Sequence, residues 1–461
     1  MGFLKWLYPG MKFKRWLLLF AFGVLALCTG ITILFNYKYI GNLEEVIFRT
    51  VYLWTGSYDY MVNMAFGTAT AGAGLLLMLV AIRQMIRSII GVLLPDGSEK
   101  LVDLIFAERK LSRGPAVAVI GGGTGLSVLL RGIKTVTKNV TAIVTVADDG
   151  GSSGRLREDL GILPPGDLRN CLVALAETEP LMEKLFQHRF GGRGDLAGHS
   201  FGNLFIAAMT ETVGGNMEEA LKASKKILAV RGQVLPATIS EVKLMARLAD
   251  GRIIEGESRI PLSGSPIERV YLEPADAKPV QSALSAIADA QVIFLGPGSL
   301  YTSVMPNLLI DGMADALRKS RATKVYICNV MTQPGETDGY SVSAHVKAIF
   351  DHVGEGIVDY VIVNGSRISD EVCEVYAREG AAPVIVDKDK TERLGVKVIE
   401  ADLISQTNLA RHDPQKLSQT IISMLYDYQI HRDQPGEWEQ LMNQNDGKER
   451  KLEGTYGILL K

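Results

Sequence analysis

The chain has 461 residues, 22% of them charged, and a formal net charge of −2. That length supports two or three domains around ample core, and near-neutrality removes any electrostatic case for nucleic acid as a partner. Cys28, Cys171, Cys328 and Cys373 form no CxxC pair, so neither a zinc site nor a disulfide framework is indicated. The last three are expected as buried thiols of a reducing compartment.

The mean hydropathy of +0.14 is lifted by the N-terminus. Two uncharged apolar runs, residues 16–35 and 61–82, are long enough to span a hydrocarbon core. Gly67 and Ala71, four residues apart in the second run, suit close helix packing. Lys5, Lys12, Lys14 and Arg15 flank the first run and Arg83 and Arg87 the second, with only Lys38 and Arg49 between. The bias of basic residues predicts a membrane hairpin, residues 1–82, with both termini and the main domain in the cytoplasm. Residues 83–114 then join anchor to domain. Ile86, Ile89, Ile90, Val92 and Leu93 beside the two arginines fit either a helix at the bilayer surface or a continuation of the second span. A charged amphipathic helix follows over 99–110.

From residue 115 the pattern alternates strands and helices. Strands are expected at 117–121, 141–147, 291–296, 324–330, 358–364 and 382–387, with a helix over 126–134 after the first. Near-continuous Val/Ile runs imply a parallel sheet covered on both faces. The fold class is therefore α/β, a doubly wound, mainly parallel Rossmann-like sheet over 115–416. Residues 234–273 alternate apolar and polar positions and are expected as a small antiparallel β insertion. A C-terminal helix and tail occupy 417–461.

The chemistry is concentrated where strands end. Gly121, Gly122, Gly123, Thr124 and Gly125 leave the first strand and open a helix, a place where backbone N–H groups receive an anion. The G-x-G-x-x-G spacing fails, because Leu126 stands at the third glycine, and no Gly-Lys-Ser/Thr follows, which excludes a P-loop. After the second strand, ADDGGSSGRLR offers Asp148 and Asp149 to Mg²⁺ or a ribose, Gly151 and Ser152 as donors, and Arg155 and Arg157 to phosphate oxygens. PPGDLRN places Asp167 as a helix cap or ligand contact, with Arg169 beside it. GHSFGNL supplies His199, Ser200 and Asn203. Two further strand ends follow: Gly296, Gly298, Ser299 and Thr302 in the first, then Asn329, Gln333, Glu336 and Thr337 in the second. Loops at the carboxyl ends of such a sheet converge on one crevice. No nucleophile stands beside a base in sequence, since His199 and Ser200 are adjacent and poorly placed as a pair.

Taken together, these motifs resemble the gluconeogenesis factor family over residues 116–416. That family is related to 2-phospho-L-lactate transferase, which moves a phospholactyl group from a guanine-nucleotide diester onto a deazaflavin. The resemblance implies a nucleotide-sugar ligand such as UDP-N-acetylglucosamine, and support of growth and cell shape on gluconeogenic carbon. It implies no defined reaction for the bacterial branch. The N-terminal hairpin departs from the commonest members, which begin near the first strand. Two function classes stand: a membrane-tethered nucleotide-sugar-binding regulator near cell-wall synthesis proteins, and a transferase with Mg²⁺ at Asp148 and Asp149. A homo-oligomer is expected in either case.

Overall fold

The computed structural model describes residues 13–35, 41–56, 60–93, 108–109, 111–177, 180–404 and 412–430. The chain divides into two compact units, Met1–Glu108 and Arg109–Lys461.

In the first unit α1 (Phe13–Phe35) and α3 (Tyr60–Leu93) form an antiparallel pair, and α2 (Gly41–Thr55) lies between them in sequence. Trp16–Ile33 and Met64–Ile86 are long and apolar enough to cross a membrane. Large apolar side chains such as Leu18, Phe22, Leu25 and Leu76 point outward. The helices meet through small residues. A Cβ added at Gly30 would lie 2.4 Å from the Ala71 backbone nitrogen, and one at Gly74 would lie 2.5 Å from that of Leu27. Contact of this kind requires residues without side chains in the seam. Thr29, Thr32, Thr68 and Thr70 donate their hydroxyls to carbonyls one turn back, so polar groups on apolar helices are satisfied internally. Helix α3 runs unbroken to Leu93, so residues 83–93 continue the second apolar helix. The helix expected over 99–110 lies outside the described residues except for positions 108–109.

The second unit is built on seven parallel strands: β1 (Val117–Gly121), β2 (Val140–Val144), β3 (Gln233–Pro236), β7 (Val292–Leu295), β8 (Thr323–Ile327), β9 (Tyr360–Asn364) and β10 (Lys397–Ala401). Their order is β10-β9-β8-β7-β1-β2-β3. β1 and β7 are buried along their whole length, which explains their unbroken apolar sequence. The chain winds outward from β1 through β2 to β3, then returns to β7 on the other side of β1 and winds outward again. The reversal lies between β1 and β7, and in sheets wound this way such a switch point is where ligands bind, beyond the strands' carboxyl ends. The three strands β4 (Lys243–Leu248), β5 (Ile253–Glu255) and β6 (Ile267–Glu273) form a separate antiparallel sheet inserted before that return.

Two expectations change. Residues 234–236 belong to the main sheet as β3, paired with β2, and the insertion begins only at Lys243. The break between the two sheets falls at the bend over residues 237–240, after Pro236. Residues 382–387 form only isolated bridges, Met331 with Pro383 and Ser341 with Ile385, since Pro383 has no N–H for a ladder. The edge is instead β10, whose Lys397 and Glu400 dilute the apolar pattern, as an exposed edge allows. The C-terminal helix runs Pro414–Ile430, and the tail beyond it lies outside the described residues.

Candidate functional site

The glycine loop leaves the carboxyl end of β1, beside the end of its neighbour β7. Gly122 precedes α4 (Gly123–Ile133), and Gly123 has φ +70, a conformation that favours glycine. A Cβ on Gly125 would lie 2.8 Å from the Pro297 carbonyl oxygen, and one on Gly298 3.2 Å from that of Gly122. The first and second strand-end loops are therefore in backbone contact. Asn307 locks them from behind: its Nδ2 donates to the carbonyls of Ser303 (2.8 Å) and Gly121 (3.3 Å).

The second and third loops are joined by side chains. Gln333 Nε2 donates to Ser299 Oγ at 2.6 Å, and Asn329 Nδ2 donates to Gln333 Oε1 at 2.9 Å. Thr337 Oγ1 accepts from the Gln333 backbone, and Thr302 Oγ1 donates to Glu336 Oε1 at 3.4 Å. Burial pushes the Glu336 carboxyl up to about 7. Past Asn329, beyond the ends of β8 and β9, a cavity of about 270 Å³ is lined by Val330, Asn364, Arg367 and Cys373 among others.

Asp167 has a different task from capping its own helix. Pro165 is the cap of α6 (Gly166–Leu175), where α5 is Gly151–Leu160. The Asp167 carboxylate instead crosses to the glycine loop, where Oδ2 accepts from Gly123 N at 2.6 Å. Burial raises the Asp167 carboxyl to about 6, with Asp148 adding to the rise and the Gly123 N–H and Arg169 opposing it.

Asp148 and Asp149 diverge. Asp148 Oδ1 accepts from Gly150 N at 2.9 Å, whereas Asp149 Oδ1 accepts from Ser258 N at 2.9 Å, on the tip of the insertion. That tip also presses on the third loop, since a Cβ on Gly335 would lie 1.9 Å from the Pro261 carbonyl oxygen. Among the described residues no group of three or more His, Cys, Asp or Glu is placed to hold a metal ion. Arg155 and Arg157, expected at phosphate, each give an Nη2 to a backbone carbonyl, of Ala197 and Val242 respectively, at 2.8 Å.

His199 does have a hydroxyl partner, and it is Ser152 rather than its neighbour Ser200. Ser152 Oγ lies 3.0 Å from His199 Nδ1 and accepts from Asn203 Nδ2 at 3.0 Å, and all three residues are buried. Ser200 caps the helix Phe201–Thr212 and bonds the buried Arg169. Desolvation, helped by the nearby Arg155, lowers the His199 pKa. Ser153 Oγ accepts from Gly166 N at 3.1 Å, so α5 and α6 begin side by side, one residue from Asp167.

Sequence reasoning missed Glu257 and Asn307. Glu257 sits on the insertion tip with Oε2 buried and unpartnered, its pKa raised by burial and by Asp148, Asp167, Asp149 and Glu336 around it. Its polar, turn-rich surroundings read as surface. Asn307 had a signal, a lone amide in an apolar helix start.

The chain matches known proteins over most of its length. Residues 117–404 match the family 2-phospho-L-lactate transferase CofD. The gluconeogenesis factor of Bacillus subtilis (strain 168) is 49% identical over 316 residues, 68% of this chain and 99% of its own length. A Clostridium acetobutylicum relative, also named for a gluconeogenesis factor, is 42% identical over 465 residues, 98% of this chain and 99% of its own. That alignment takes in the N-terminal unit. A crystal structure of a Bacillus halodurans protein, 54% identical, superposes with a TM-score of 0.65, covering 67% of this chain and 100% of that one.

Proposed function

The chain belongs to the gluconeogenesis factor family, and from that premise we propose that its α/β unit binds a nucleotide-sugar of the UDP-N-acetylglucosamine class and acts as a regulator of growth and cell shape on gluconeogenic carbon. The observation that carries this reading is the joining of three strand-end loops beside the β1/β7 switch point, with the Gly123 N–H on the first of them. A diphosphate replaces the Asp167 carboxylate there. The rest of the ligand extends along Ser299, Gln333 and Asn329 towards the adjacent cavity. Mg²⁺ belongs with Asp148 and the phosphate oxygens, because Asp149 is committed to the insertion tip and Mg²⁺ needs few protein ligands when phosphate supplies the others. The N-terminal hairpin tethers this unit to the cytoplasmic face of a membrane.

Calorimetry on the full-length protein in detergent tests the reading. UDP-N-acetylglucosamine should bind saturably, more weakly after EDTA, and Gly123→Val should abolish binding while a cooperative melt persists. No binding heat from the wild type, or undiminished binding by the variant, rejects it. A cysteine placed between residues 37 and 60 should react with an impermeant maleimide in intact cells; labelling only after lysis would reject the topology.

A further inference from the structure

We propose that Ser152 and His199 are a nucleophile and its base, giving the crevice a group-transfer activity on a phosphoanhydride beyond binding one. The contact between the two side chains carries this. Ser152 Oγ and His199 Nδ1 lie 3.0 Å apart and both residues are buried, with Asn203 Nδ2 3.0 Å from the same oxygen. With its ring proton on Nε2, the imidazole presents Nδ1 as the acceptor for the hydroxyl proton, which is the contact of a nucleophile with its base. Ser152 is also the second residue of α5, where the helix dipole favours an oxygen gaining negative charge. Arg155 and Asp159, both on α5, are the charged groups that face the imidazole.

The pair is tied to the glycine loop through α5 and α6. The next residue, Ser153, accepts from Gly166 N, and the residue after Gly166 is the Asp167 that occupies the Gly123 N–H. Resting on the reading that a diphosphate sits at that N–H, the step is a displacement at phosphorus. The Ser152 Oγ–P bond forms and the P–O bond to the leaving nucleoside phosphate or sugar phosphate breaks. The hydroxyl proton passes to His199 Nδ1 and from there to the leaving oxygen. An acceptor hydroxyl or water then takes the phosphoryl group from Ser152 by the reverse proton path.

A fluorophosphonate probe tests the pair without any assumption about the natural ligand. Ser152 Oγ–P forms, P–F breaks, and the proton taken by His199 leaves with fluoride. Full-length protein in detergent should carry the adduct on Ser152 by tandem mass spectrometry, and Ser152→Ala should carry none. His199→Gln should slow labelling at least about 100-fold, the scale of a lost general base. A merely structural tie between helices predicts no adduct on Ser152 in protein that melts cooperatively, or equal labelling rates with and without His199; either result overturns the proposal. Protection of Ser152 by UDP-N-acetylglucosamine supports the proposal together with the binding reading. Labelling that depends on His199 but is indifferent to that ligand supports the dyad and sinks the ligand assignment alone.

Discussion

Glycine marks close backbone approach in both units of this chain, with opposite consequences. In the hairpin, Gly30 and Gly74 let one helix backbone lie against another, and nothing is left over, since each missing Cβ is replaced by atoms of the partner helix. In the α/β unit Gly125 and Gly298 bring two loops together in the same way, but Gly123 on the first of them offers an N–H whose present partner is a side chain. A side chain can move away, whereas a helix backbone cannot. Glycine spacing alone thus says that something comes close. Only the identity of the neighbour separates a permanent seam from a place where a ligand exchanges with the protein.

Gly74→Leu is the larger structural perturbation of that contrast. The new Cβ would meet the Leu27 nitrogen at 2.5 Å and the Gly23 carbonyl oxygen at 2.8 Å, and both are backbone. Overpacking of this kind costs about 1–3 kcal/mol, and relief requires the helices to separate by about 2 Å within the usual interaxial range. Spin labels at the outward-facing positions of Leu25 and Leu76, in a background lacking Cys28 and Cys373, should report that increase by pulsed electron resonance. Nucleotide-sugar binding by the α/β unit should be unchanged. An unaltered distance would mean that the seam is not set by backbone contact.

The two units also differ in how far their sequence discloses them. The hairpin is legible because an uncharged run of spanning length has few other uses, though α2 between the spans gives no comparable signal. In the α/β unit the central strands are legible because burial on both faces leaves unbroken Val/Ile runs, and the edge is not, because β10 tolerates Lys397 and Glu400. The strand-end loops announce themselves through glycine and small polar residues. What they hold is decided by long-range pairing. Asp167 reaches Gly123 across 44 residues, Ser152 reaches His199 across 47, and Ser258 reaches Asp149 across 109. No periodicity or cap rule encodes such meetings, since each depends on how the helices and the insertion are stacked. Hence Asp167 reads as a helix cap, and Glu257 as surface.

Asp167→Asn probes the exchangeable side of the contrast, and its sign follows from the folded carboxyl titrating at about 6 against an unfolded value of 3.8. A carboxyl raised on folding favours the folded state fully below pH 4, where it is protonated in both states. That contribution is lost as pH rises through about 6. At about 1.4 kcal/mol per pH unit, the ionised carboxylate costs the folded protein about 3 kcal/mol at neutral pH. Asparagine removes the charge and keeps an oxygen for the Gly123 N–H, so it stands in for the protonated acid; the bond the carboxylate accepts is already part of its folded pKa. The net gain in stability should be about 2–3 kcal/mol at pH 7.5, shrinking to nothing below pH 4, and urea titrations at intervals across that range would measure it. With no charge to displace, the Asn variant should also bind a diphosphate ligand with a flatter pH dependence than the wild type. Parallel stability curves for the two proteins between pH 4 and 7 would show that Asp167 is not an ionised occupant of the loop, and the glycines of the crevice would then be as closed a seam as those of the hairpin.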